Sequence, residues 1–470
     1  MRQKIPFLGG QNKRLSPNQD AQRTVNLYLD LDPEESETGA ALYLVQGKQQ
    51  FASVGTGPVQ AMAEFGGSLL IISGGNLYTL TAAGVLTLIG GIAIDAGVAI
   101  EVSKNQAVIV GGTYGYVFDG TTLTRITADG WAGSLTVANL YGFFVMAKPD
   151  SQTFYVSAQY DGSQYDPTDF AEADSFPDQI VAVFSDHQDL MIFGEYGTEF
   201  WYYSGELDFP FSRRDGSLIE VGCSARYSIA RGAGSVFWLG RTRNGKGQIY
   251  RCSAYQPQVI SNNGIEAEIA QMTKIDDARG FVYQQNGHVF YVLTFPSEGR
   301  TFVYDASIVD PGKAWHIRET YGIGRDRGNC YAFFAGTHLV GDYSDGTVWE
   351  LRDDVYTDGG LPICWERTSP RIYTGKRMIF RDLILNMQRG TGLPSGDGSD
   401  PVLYLDWSDD GGHTWSNKRE ASMGAQGVRL PLVRWWQLGS SYDRVFRITG
   451  SSPVKTVILG GYLTAETGNF

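Results

Sequence analysis

The sequence predicts an all-β protein built around a β-propeller, and three observations carry that expectation. The first is a loose repeat. An apolar run, a short glycine-rich or polar turn and an aromatic-rich second run recur from Leu69, Ala107, Phe143, Leu190, Val236, Val289 and His338. The starts lie 38, 36, 47, 46, 53 and 49 residues apart. That period suits a unit of several strands that cannot bury both faces alone and therefore stacks in a ring. The second is composition. The 59 glycines and 13% aromatic residues of the 470 provide many turns between short aromatic strands. The third is the scarcity of helical periodicity, which is clear only over 265–272, where Ile265, Ile269 and Met272 recur. Seven units are counted, and six or eight fit the same spacing.

The elements follow in order. Residues 1–50 read as an N-terminal arm punctuated by Pro6, Gly9, Gly10, Pro17 and Pro33, with an acidic loop over 30–35. A strand over 41–45 is expected to close the propeller by joining its last blade, which removes a bare edge. Residues 51–360 hold the propeller. Residues 361–470 change rhythm around a Gly/Ser/Pro loop at 388–401, with strands expected near 378–385, 402–407, 427–430, 445–449 and 457–463. These read as a separate β-sandwich-like domain.

Composition narrows function. An apolar fraction of 42% supports a large core, and a charged fraction of 19% argues against long disorder. A net charge of −13 with no lysine/arginine run longer than a dipeptide such as Arg213-Arg214 argues against a protein that grips nucleic acid by neutralising phosphate. DNA would pass such a surface rather than stick to it. Cys223, Cys252, Cys330 and Cys364 are far apart and read as free thiols in a reducing compartment. The most apolar stretch, 85–100, is broken by Gly90, Gly91, Asp95 and Gly97, so no membrane insertion is expected.

Catalytic constellations are sparse. The five histidines form no H-x-x-x-H or H-E-x-x-H pattern, and no G-x-S-x-G elbow or phosphate loop occurs. His187 has carboxylate neighbours but reads as a turn between blade strands. Phe200-Trp201-Tyr202-Tyr203 and Trp435-Trp436 could stack sugars, although alternation along a strand sends half of each cluster into the core. No cofactor and no metal site is expected. The sharpest local motif is Ser408-Asp409-Asp410-Gly411-Gly412-His413-Thr414-Trp415, an Asp-box of the form S-x-D-x-G-x-T-W. The pattern is familiar from sialidases, but physically it describes a turn. Ser408, Asp410 and Thr414 supply polar groups, with Asp410 accepting from turn amides. Gly412 takes φ > 0, and Trp415 is expected to plug the layer beneath. One copy outside the repeats reads as a staple rather than an active site.

Several passages together resemble one family, the packaged-DNA stabilisation proteins (tail hub or tail accessory factor) of P22-like short-tailed bacteriophages. The arm carries Arg23-Thr24-Val25-Asn26-Leu27-Tyr28, similar to that family's R-x-[IV]-N-L-Y, with Leu29 where a proline usually follows. Further similar passages begin at Phe193, Asp208, Gly287, Thr301, Trp315, Gly398 and Asp443, in family order. The resemblance implies a non-enzymatic virion tail protein assembled in the host cytoplasm. It implies a homo-oligomeric, commonly six-fold ring below the portal and its adaptor. Double-stranded DNA would pass through the channel unbound, with a tail needle or plug at the distal end and a tailspike or fibre as a further neighbour. The arm and the sandwich are the candidate ring contacts. The alternative is a glycan-binding or sialidase-like tail protein acting on host sugars, which requires arginines, tyrosines and carboxylates converging at the propeller axis.

Overall fold

Seven sets of about four antiparallel strands follow one another around an axis in the computed structural model, which describes residues 2–14, 16, 19–31, 39–429 and 432–467. Blades 1 to 4 run from Val59–Phe65 to Leu86–Gly91, Ala99–Val102 to Leu123–Arg125, Val137–Leu140 to Phe170–Glu172, and Ile180–Asp186 to Phe211–Arg213. Blade 5 spans Gly222–Cys223 to Gln256–Val259, blade 6 Arg279–Gln285 to Trp315–Ile317, and blade 7 begins at Gly328–Phe334. Six of these sheets stand alone, and the sixth blade continues into the C-terminal sheet. The innermost region of all seven lines one axial cavity, with Gln60, Glu101, Val137, Val183, Tyr227, Arg279 and Tyr331 as one contribution each.

Each repeat start falls in or at the second strand of a blade, such as Ser68–Ser73, Ala107–Val110 and Asp189–Gly194. These strands are covered on both faces, so they read as unbroken apolar runs: Leu69, Leu70, Ile71 and Ile72 have no exposed surface. Adjacent blades share cores, as where Phe193 of blade 4 meets Trp238 of blade 5 edge-on at 5.4 Å. The inner hairpins turn tightly. Asn286 and Gly287 both have positive φ (53° and 82°), the two-residue turn whose twist matches the flanking strands.

The strand that closes the ring is Gly47–Ser53, which pairs antiparallel with Thr347–Arg352 of blade 7. This corrects the expectation placed on 41–45. Ala40–Leu44 pairs instead with Leu27–Leu31 and with Val457–Thr467 of the C-terminal domain. Both segments are short and β-prone, so local pattern does not choose between them; the available edge does. The helix is Asn263–Ala270, two residues earlier than periodicity suggests, because Asn262 Oδ1 caps it by accepting from the amides of Gly264 and Ile265 at 3.0 Å each.

The C-terminal domain is not separate. Thr24–Val25 of the arm lies between Trp315–Ile317 of blade 6 and Trp365–Thr368, so one sheet runs from the propeller into the sandwich. Arg2–Ile5 extends Val457–Thr467. The arm is thus woven into its own chain. The long central strand is Ile372–Met387, and the strand expected at 427–430 is Val433–Trp436, which pairs with it. Residue 430 and most of the acidic loop, 32–35, lie outside the described residues. Among the described residues, no helix is long and apolar enough to cross a membrane.

Candidate functional site: the arm, propeller and sandwich junction

The N-terminal motif forms the knot where the three parts meet. Asn26 sits at φ 52°, a left-handed conformation that asparagine tolerates better than most residues. Its side chain is fully used. Nδ2 donates to the carbonyls of Glu319 and Cys364, both at 2.8 Å, and Oδ1 accepts from the Glu319 amide at 3.0 Å. One amide therefore ties the exit of blade 6 to the entry of the sandwich. Arg23 pairs with Glu319 at 2.8 Å, with Glu366 at 3.9 Å. Leu27 is wholly buried in the shared core. Tyr28 stacks on Tyr43 at 5.8 Å and meets His288 and Phe290 edge-on. Burial, reinforced by the negative charges of Asp353 and Asp30, pushes its phenol well above the usual range, so it acts as a neutral aromatic post. It borders a cavity of about 340 Å³ shared with Asp30, His288, Asp353 and Lys455.

Two buried charges extend the knot, and sequence reasoning missed both. Arg367 has no exposed surface. Its guanidinium donates to the carbonyls of Phe7 and Gly10 at 2.7 and 3.1 Å, to Thr24 Oγ1 at 2.7 Å and to Gln22 Oε1 at 2.6 Å. The arm wraps this arginine with neutral oxygens rather than a carboxylate, and burial lowers its pKa to about 9. Lys48, on the closing strand, reaches Asp326 Oδ2 at 2.7 Å and Asp358 Oδ1 at 3.4 Å. Burial alone would lower the Lys48 pKa, but these two carboxylates outweigh it and hold the ammonium charged. Arg327 Nε adds a contact to Asp358 at 3.2 Å. Neither residue belongs to a motif of its own, and each sits in a polar strand, GKQQFAS for Lys48 and WERT for Arg367, so nothing local in the sequence marks it as buried.

The Asp-box is the turn between Val402–Ser408 and Arg419–Ser422. Asp410 Oδ1 accepts from the amides of His413 and Thr414 at 2.9 Å each, and Oδ2 accepts from Thr414 Oγ1 at 2.5 Å. Ser408 Oγ donates to Asp410 Oδ1 at 2.6 Å and accepts from the Gly412 amide at 2.7 Å. The hydrogen bonds of Ser408 and then Thr414 hold the Asp410 carboxyl far below the ordinary range. Gly412 has φ 102°. Trp415 does not plug the core. It is half-buried and lies over the Arg447 guanidinium at 3.9 Å, which forks onto Asp406 at 3.0 and 2.5 Å. The core side of the turn is filled instead by Arg444, which is buried over Phe380 and pairs with Asp409 at 2.6 and 2.7 Å. Asp410 is spent on its own turn, so the motif has no carboxylate aimed at a cleft.

The axial cavity is where a glycan-cleaving site would stand. It measures about 250 Å³ and carries Arg226, Tyr227, Arg279 and Tyr331. Glu101 is its one lining carboxylate among the described residues, and burial raises its pKa to about 7. Hydrolysis of a glycosidic bond ordinarily uses two carboxyl groups. Arg279 lies over the Tyr227 ring at 5.0 Å, so that pair is engaged internally. Half of each other aromatic cluster is buried, but within 200–203 the division runs along the strand rather than by alternation. Phe200 and Trp201 are buried while Tyr202 and Tyr203 are exposed, and Trp435 is buried while Trp436 is exposed. Among the described residues no group of three or more His, Cys, Asp or Glu side chains is placed to hold a metal.

Comparison with known proteins gives the assignment. A family model described as bacteriophage P22 Gp10, β-propeller, matches residues 3–356. A second, described as bacteriophage P22 Gp10, β-sandwich, matches residues 364–466. The chain belongs to the bacteriophage P22 Gp10 family. It is therefore a phage structural protein and a virion component, with the propeller and sandwich of that family. No curated protein sequence matches it. Solved structures similar to it include the Pan2 WD40 domain of Neurospora crassa, at 10% identity and TM-score 0.41, covering 66% of this chain and 95% of that one. Virginiamycin B lyase of Staphylococcus aureus is similar at 10% identity and TM-score 0.44, covering 66% and 98%. The WD40 propeller of Doa1 is similar at 13% identity and TM-score 0.42, covering 66% and 97%.

Proposed function

We propose that this chain is a tail hub subunit that forms a ring, six-fold in the simplest arrangement, below the phage portal and its adaptor. The ring extends the DNA channel, and the packaged double-stranded genome passes through it without specific binding. A needle or plug protein seals the distal end, and a tailspike or fibre is a further neighbour. Assembly takes place in the host cytoplasm. The role is mechanical and electrostatic rather than catalytic: an acidic surface of net charge −13 repels phosphate and keeps DNA mobile.

The observation that carries this reading is the family match over both parts of the chain, in order, from residue 3 to residue 466. The junction supports it, because its buried arginine, lysine and asparagine tie arm, propeller and sandwich into one body. The test is a phage lacking this protein. Its particles should fill with DNA and then lose it, measured as the ratio of full to empty heads over time. Mutant particles that keep full genomes would overturn the proposal.

A further inference from the structure

The net charge is not spread evenly. Residues 51–200 contain sixteen acidic and three basic residues, whereas residues 361–470 contain ten acidic and thirteen basic ones. The acidic sector is blades 1 to 4, which lie away from the junction; the basic sector is the sandwich. A charge asymmetry of this kind along one chain favours contact between unlike ends of neighbouring molecules.

Each sector also carries an unpartnered apolar feature. On blade 4, the connection between Thr198–Tyr203 and Phe211–Arg213 presents Leu207 with its full surface in water, between Glu206 and Asp208. This tip is stiff. The amides of Ser204 and Gly205 both donate to the Pro210 carbonyl, and Phe209 packs on Phe154 at 5.6 Å. On the sandwich, a groove of about 650 Å³ is floored by Ile379, Phe380 and Trp436 and flanked by Arg377 and Arg381. Trp436 is 56% exposed, and Arg434 lies across its ring at 3.1 Å. Glu466 engages Arg381 and Asp382 engages Arg434, but among the described residues Arg377 donates to the Ser440 hydroxyl, at 3.1 Å, and to no carboxylate.

We propose that the Glu206-Leu207-Asp208 tip of one copy seats in the Arg377/Phe380/Trp436 groove of a second copy. The apolar knob fills the groove, and its flanking carboxylates meet Arg377 and the free edge of Arg381. Because knob and groove occupy different parts of the molecule, the contact is head-to-tail, the kind that closes into a ring when the rotation permits. The inference rests on the ring reading above and deepens it by naming the two surfaces.

Disulfide trapping of the full chain tests it. Leu207→Cys and Gln437→Cys chains, mixed at high concentration under mild oxidation, should give a covalent dimer that neither gives alone. Leu207→Ala should weaken self-association about tenfold, the loss expected when one leucine's burial is removed. Arg377→Glu and the double change Glu206→Arg with Asp208→Arg should each abolish association, and a mixture of the two should restore it. No trapped dimer at any concentration overturns the contact. So does trapping of Gln437→Cys in assembled particles to a different tail component and never to Leu207→Cys, which would assign the groove to that component. Closed rings of the Arg377→Glu chain in electron micrographs would overturn the contact and leave the ring reading standing. Trapped dimers that form only open chains would sustain the contact and sink the ring.

Discussion

At the scale of single residues, the junction depends on side chains that satisfy backbone from distant segments. Arg367 is the extreme case, a fully buried cation whose four hydrogen bonds all go to the arm. Arg367→Lys keeps charge but loses the planar fork, so it leaves acceptors orphaned. It should destabilise the chain by roughly 3 kcal/mol or more. Limited proteolysis should then cut within residues 8–22 before any other site. His288 makes a pH prediction. Burial alone would lower its pKa, but the hydrogen bond and charge of Asp305 at 2.6 Å, with Asp30 at 3.5 Å, outweigh it and raise the value above 6.5. A raised folded value means stability fully present below 6.5 and lost as pH rises through the folded value. Nearby His316, buried and held neutral, has the opposite sign and loses stability below 6.5. Denaturation midpoints measured from pH 6.5 to 8.5 should therefore fall in the wild type. The His288→Gln chain should show a flatter profile over the same range.

At the scale of elements, the Asp-box hairpin and the closing strand make different demands. The Asp-box is a local structure: Asp410 and Ser408 satisfy amides within four residues of themselves. Asp410→Ala should speed amide exchange at His413 and Thr414 and lower the melting midpoint, while the propeller signal at residues 59–91 stays unchanged. Exchange unchanged at those two amides would refute the staple. The closing strand is a non-local structure, held by Lys48 against Asp326 and Asp358. Lys48→Met leaves two buried carboxylates facing each other and should cost roughly 3–5 kcal/mol, read as a shift in the urea midpoint. A midpoint within error of wild type would show the cluster contributes nothing to closure.

At the scale of the whole molecule, the arm makes propeller and sandwich one body. Thr24–Val25 is hydrogen-bonded to both, so neither can open without exposing a sheet edge. Calorimetry should show one unfolding transition rather than two. A chain truncated after residue 360 should leave Val25, Leu27 and Phe7 uncovered and aggregate. Two well-resolved transitions would refute the continuity.

How much of this was legible in the sequence follows from the range of the forces involved. The propeller was readable because its second strands are buried on both faces, which writes an apolar run into every repeat. The Asp-box was readable because its hydrogen bonds join residues a few positions apart, so Ser408, Asp410, Gly412 and Thr414 must appear together. The family passages were readable in the same local way. The place of Trp415, the choice of Gly47–Ser53 over Ala40–Leu44 as the closing strand, and the burial of Arg367 were not. Each depends on which distant edge or carbonyl is free once the chain has closed, and a residue's neighbours in sequence hold no record of that. The sequence alone determined the all-β repeat and its turns. Only the tertiary structure decided that the arm runs through the middle of the molecule, because pairing two sheet edges hundreds of residues apart is a property of the assembled fold.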